Sequence, residues 1–171
     1  MTNQATDPIR PSWLLYDVRK SVSEILDRPF TERIDHQVFK PDKRLLAIWA
    51  AECVERVLPL FEDRYPDDGR PRRALSVLRD WIATGVFSMA VIREASLGAH
   101  AAARGKREAD AAFAAHAAGQ AAGTAHVATH ALGASVYAIR AVAAHSGSPD
   151  DGLRERDWQL GRLRQHVARV D

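Results

Sequence analysis

Between Ala111 and His145 the chain carries one formal charge, Arg140, although 27% of all residues are Asp, Glu, Lys or Arg. The alanine background there is interrupted by His116, Gly119, Gly123, His126, His130, Gly133 and Tyr137, at alternating spacings of three and four. At about 100° per residue these seven positions share a helical face roughly 100° wide. A stretch this poor in charge is stable in water only when buried along most of its girth, and its glycines let a second backbone approach closely. The pattern predicts a central helix from about Arg107 to Ala144. At about 1.5 Å per residue it would span over roughly 50 Å unbroken, so a kink near Gly119 to Gly123 is expected. It does not read as a membrane span: Phe113, Val127, Leu132, Val136 and Ile139 are its only strongly apolar residues up to position 139. Three histidines in the same stretch would be costly in lipid.

The 171 residues are the size of one domain, long enough to bury about 70% of the surface of the unfolded chain. Twenty-four Lys and Arg oppose 22 Asp and Glu, a net charge of +2. That balance supplies no global field for nucleic acid or an anionic membrane, and neither is expected as a partner. The single cysteine, Cys53, has no intrachain disulfide partner, and the start MTNQATDPIR lacks a secretory pattern. A bacterial-type cytoplasm is the expected location.

No segment alternates with period two, so the expected fold is all-α: a single-domain bundle of about six helices around the central Ala/Gly/His-rich helix. Residues 1–10 read as a mobile tail. An N-terminal helical extension over residues 11–42 follows, in which Ser12 caps a helix from Trp13 to Arg28. Its apolar residues are Trp13, Leu14, Val18, Val22, Ile25 and Leu26, and Pro29 stops it. A short helical turn is expected around Thr31 to His36. Asp42 reads as the N-cap of a second helix over residues 43–64, with a stripe of Leu45, Ile48, Trp49, Cys53, Val57, Leu60 and Phe61 and a bend at Pro59. Further helices are expected over about Arg72 to Ala83, Met89 to Arg104 with Ser88 as cap, and Asp151 to Val170.

Several side chains are candidates for chemistry. His126 and His130 stand four apart, a spacing that offers two imidazoles to one metal ion, but His116 lies about 15 Å further along the axis. No metal or other cofactor is expected, and this pair is the weak exception. In a sequestered pocket His116, His126, His130 and Tyr137, with Glu52 across from them, would serve as acids or bases, since histidine titrates near neutrality. The alternative is that each imidazole fills a gap beside a glycine. Gly119 and Gly123 form a GxxxG, which reads either as a packing groove inside the monomer or as a homodimer seam. Glu52 and Arg56 are spaced for a helical ion pair. Arg56, beside Cys53 and Trp49, needs a carboxylate from Glu52, Glu55 or Asp68. Cys53 has no CxxC partner and is a weak nucleophile candidate. Arg70, Arg72 and Arg73, opposed by Asp67 and Asp68, form a basic loop suited to local ion pairs or to an acidic partner.

From residue 43 to the C-terminus the order of segments resembles a family of small bacterial proteins, the immunity-five-like group of polymorphic toxin systems. The matching segments are KRLLAIWAAECVERVLPLFEDRYPDDGRPRRAL, REASLGAHAAAR, AAGTAHVATHALGASVYAIRAV and RERDWQLGRL. The resemblance implies a helical, non-secreted domain over residues 43–171 that binds and neutralises a protein toxin, and it fixes no catalytic residue. The expected function is therefore non-enzymatic protein binding through a helical surface, with Arg56, Asp68, Arg70, Arg72 and Arg73 as binding residues. The alternative is a small helical enzyme or small-molecule-binding protein, for example in natural-product metabolism, with a His-lined pocket.

Overall fold

The computed structural model describes residues 32–34, 37–39 and 41–169. The expected tail over residues 1–10 and the expected helix from Trp13 to Arg28 lie outside them. Where a helical turn was expected, Glu32–Ile34 (β1) and Gln37–Phe39 (β2) pair antiparallel, with Glu32 opposite Phe39. Ile34, Val38 and Phe39 are residues that favour the extended backbone, which outweighs any local helical preference.

The rest is helical. α1 spans Pro41–Glu62, α2 Arg70–Thr84, α3 Met89–Ala103, α4 Ala109–Thr124, α5 His130–Ser146 and α6 Pro149–Ala168. α1 begins at Pro41, so Asp42 lies inside its first turn and is not the N-cap. Gly85 ends α2 with φ 69°, and its N–H bonds the Trp81 carbonyl at 2.8 Å. The Ser88 hydroxyl accepts from the Val91 N–H at the start of α3.

The stretch predicted as one long helix is two. The chain reverses over residues 125–129, and α4 and α5 pack antiparallel: Asp110 meets His145, His116 meets Tyr137, and Gln120 meets His130. The expected kink at Gly119 to Gly123 is replaced by a full reversal a few residues later. Folding back lets two alanine faces bury each other, which one long rod could not do. Six helices are found among the described residues, as many as expected, because this split stands in for the helix expected before residue 29.

The core is built from small and large side chains in different layers. α1 supplies Leu46, Trp49, Val54, Val57, Leu58 and Phe61, while α4 supplies the fully buried alanines Ala111, Ala114, Ala115, Ala117, Ala118, Ala121 and Ala122. The glycines of α4 are notches within this core. A Cβ on Gly119 would lie 2.8 Å from the His100 ring, and one on Gly123 would lie 3.1 Å from the His130 ring. The GxxxG therefore faces inward, and its two notches hold imidazoles of the same chain. No helix among the described residues is long and apolar enough to cross a membrane.

Candidate functional site

Two clusters gather most of the chemistry-bearing side chains. The first is a row of rings across α3, α4 and α5. His100 Nδ1 and His116 Nδ1 lie 2.8 Å apart, so one donates and the other accepts. His116 stacks on Tyr137 at 5.0 Å between centroids, Tyr137 lies 6.2 Å from Phe113, and the Arg140 guanidinium sits 4.3 Å over Phe113. His130 bonds the Gln120 side-chain oxygen at 2.7 Å. Burial holds all three imidazoles, His100, His116 and His130, below the ordinary histidine pKa. Nearby positive charge adds to this, from His116, His130 and Arg104 at His100, from Arg104 and Arg140 at His116, and from His126 at His130.

His126 stands apart from this row. It lies in the exposed turn between α4 and α5, so it and His130 do not share a helix and the i, i+4 geometry of the expected ligand pair is lost. Among the described residues no three metal-binding side chains converge.

The second cluster lies where α6 crosses α1. A cavity of about 400 Å³ opens there, lined by Glu52, Glu55, Arg56, Trp158, Arg162 and Gln165. The Arg56 guanidinium lies 3.9 Å over the Trp158 ring and bonds both carboxylate oxygens of Glu155 at 3.0 and 3.2 Å. Glu155 is buried and also accepts from the Gln159 amide at 3.1 Å. Gln159 in turn accepts from the Ser135 hydroxyl, while its carbonyl accepts the Trp49 indole N–H at 2.8 Å. Glu52 accepts from Arg162 at 2.7 and 2.9 Å and contacts His166 at 2.7 Å. Burial pulls the Glu52 carboxyl up, but the bonds from Arg162 and His166 outweigh it and hold the group below the usual range. The expected Glu52–Arg56 pair does not form, because each finds a partner on α6 instead.

Cys53 is fully buried beneath this cluster. Burial pushes its thiol well up, and the fields of Glu155 and Glu52 add to the shift, which disfavours the thiolate that a nucleophile needs. The basic residues expected in a loop lie in the first turn of α2 and are paired: Arg70 bonds Asp68 at 2.6 and 2.8 Å, Arg72 bonds Glu62 at 2.6 and 2.7 Å, and Arg73 stands 3.7 Å from Glu94.

Sequence reasoning missed Glu155, Gln159 and the pairing of His100 with His116. A signal for the first two was present. Glu155, Gln159, Arg162 and His166 recur at spacings of four, three and four beside the Leu160 and Leu163 stripe. A polar row next to an apolar one on a helix points to a partner that satisfies it.

No curated protein and no solved structure matches the chain. A family model described as Imm-5 like putative immunity protein matches residues 36–166, from ahead of α1 to the last turns of α6, and the chain belongs to that family.

Proposed function

We propose that the protein acts without chemistry of its own, by binding a bacterial protein toxin and blocking it, with the groove between α1 and α6 as the contact face. The observation that carries this reading is the family match over residues 36–166. The choice of face rests on side-chain type and on order. Arg and Trp dominate the binding energy of protein interfaces, and here Arg56 and Trp158 are stacked at the mouth of the groove. Arg56 is held in place by its bonds to Glu155, and the stack holds Trp158, so little side-chain freedom remains to be lost on association. A His-lined catalytic pocket has less support, because His116 and His130 are bonded to His100 and Gln120, and none of His116, His126, His130 and Tyr137 lines the groove.

The test starts from proteins of the host captured on the tagged chain. Each is expressed alone and then together with the chain, and growth is followed. One captured protein should arrest growth alone and be silenced by co-expression. Trp158→Ala leaves the Arg56–Glu155 bonds in place and should weaken binding to that protein by about 2 kcal/mol, or roughly thirty-fold, in calorimetry. If no captured protein arrests growth, the toxin reading fails. If Trp158→Ala binds as tightly as the natural chain, the face is elsewhere.

A further inference from the structure

Most of the exposed apolar side chains stand along one helix. Among the described residues six large apolar side chains are exposed, and five of them, Val86, Phe87, Met89, Val91 and Leu97, lie on α3 or on the segment leading into it. α3 packs on α2 and α4, and its buried side carries Ile92, Ala95, Ala99 and Ala102. The opposite side faces outward. Apolar clusters of this kind on a globular domain mark a contact surface.

That outward side has a pattern of its own. At about 100° per residue Ala90, Leu97 and Ala101 form a stripe about 40° wide, turned away from Ile92 and Ala99, with Arg93 on one flank and Glu94 on the other. Being neighbours in sequence, the two charges stand at nearly the same height. Both are exposed, and Arg73 approaches Glu94 only to 3.7 Å. A two-fold axis parallel to the helix sets the left flank of one copy against the right flank of the other. Arg93 then meets Glu94 of the second copy, and Glu94 meets its Arg93. The same rotation lays Leu97 on Leu97 and the apolar end, Val86 to Val91, on the same end of the second copy. An antiparallel pairing centred on these residues would set like charges together.

We infer that the protein forms a two-fold homodimer through α3, with the two copies of the helix parallel. The occupant is a second copy because the face is complementary to itself in both apolar content and charge. The GxxxG of α4 is filled within the monomer by His100 and His130, so this seam replaces the one expected there. No residue of α3 lines the groove between α1 and α6, so both grooves of the pair stay open. A contact built on one helix of 15 residues is small, below about 1,200 Å² in total, and contacts of that size associate weakly.

The experiment is sedimentation equilibrium of the full-length chain at low ionic strength, over a series that spans micromolar concentrations. A monomer–dimer equilibrium is expected. Arg93→Glu and Glu94→Arg, each alone, set like charges together at both symmetry-related places and should weaken it about tenfold. An equimolar mixture of the two variants restores opposite charges and should pair as tightly as the natural chain. Leu97→Cys, oxidised, should give a 97–97 disulfide in peptide mass spectrometry, because Cys53 is fully buried and stays out of the reaction. A chain that is monomeric throughout, a dimer that neither single reversal weakens, a mixture that fails to pair, or a Leu97→Cys dimer without that bond would overturn the inference. No toxin is present in these measurements, so their failure leaves the toxin-binding reading standing, and the reverse holds as well.

Discussion

At the scale of single residues, the Arg56–Glu155 pair has unequal halves. Glu155 has a side chain 2% exposed, whereas that of Arg56 is 42% exposed. Arg56→Met keeps an apolar stem over Trp158 but strands a buried carboxylate, with only the Gln159 amide still donating to it. Losing one partner of a buried pair is costly, and with that remaining bond we expect about 2 kcal/mol of destabilisation in urea unfolding. Glu155→Gln leaves the guanidinium free to turn to water and keeps an acceptor for Gln159, so its cost should stay below about 1 kcal/mol. Equal losses would mean that the pair is not buried on one side. The glycines divide in the same way. A Cβ added at Gly98 would meet nothing within 4 Å, and Gly98→Ala should stabilise α3 by about 1 kcal/mol. Gly119→Ala gains the same propensity but drives the His100 ring from its bond with His116, which overpacking costs of about 1–3 kcal/mol outweigh. In a His100→Ala background the sign should reverse, and thermal melts of the four variants check it.

At the scale of elements, the ring row couples three helices to pH. A histidine held below its ordinary pKa of about 6.5 is neutral in the fold and takes up a proton more readily when unfolded. The stability contributed by His100, His116 and His130 is therefore present in full above that value and is lost as pH falls through it. The window follows from the downward direction of all three shifts. Each proton taken up on unfolding is worth about 1.4 kcal/mol per pH unit where it is fully coupled. The Nδ1–Nδ1 bond tolerates only one shared proton, so His100 and His116 cannot both be charged and keep it. Urea midpoints should drop between about pH 7.5 and pH 5.5, and substituting all three by Gln should flatten that slope. Glu52 and Asp110, held low, add their own loss only at more acidic pH, below the carboxylate range. The same helices show how far the sequence can be read. Gly85, Ser88 and Gly105 punctuate α2 and α3, and those ends were legible from local chemistry. The reversal at residues 125–129 was not, because Ala-His-Val-Ala-Thr contains neither Gly nor Pro, and packing of α4 on α5 decides it. Arg56 was legible as a cation in need of a carboxylate. Its partner was not, since Glu155 lies 99 positions away on a helix whose docking no local rule supplies.

At the scale of the whole molecule, charge and core act on different properties. The 24 basic and 22 acidic residues nearly cancel, and many of them meet in exposed pairs such as Arg70–Asp68, Arg72–Glu62 and Arg154–Asp151. Pairs of this kind are worth little in water and are screened by salt. The core instead rests on alanine-faced helices packed against Trp49, Phe61 and Leu58, apolar contacts that salt does not screen. Raising NaCl from about 0.05 M to about 0.5 M should therefore move the unfolding free energy by less than about 1 kcal/mol. Binding is expected to behave differently. The groove presents Glu52, Glu55, Arg56 and Arg162 on one face, and a partner that reads them would be steered by charge before it is held by Trp158. Over the same salt range the association rate should fall while the dissociation rate changes little. A large loss of stability in salt would instead mean that the surface pairs, and not the alanine core, hold the bundle together.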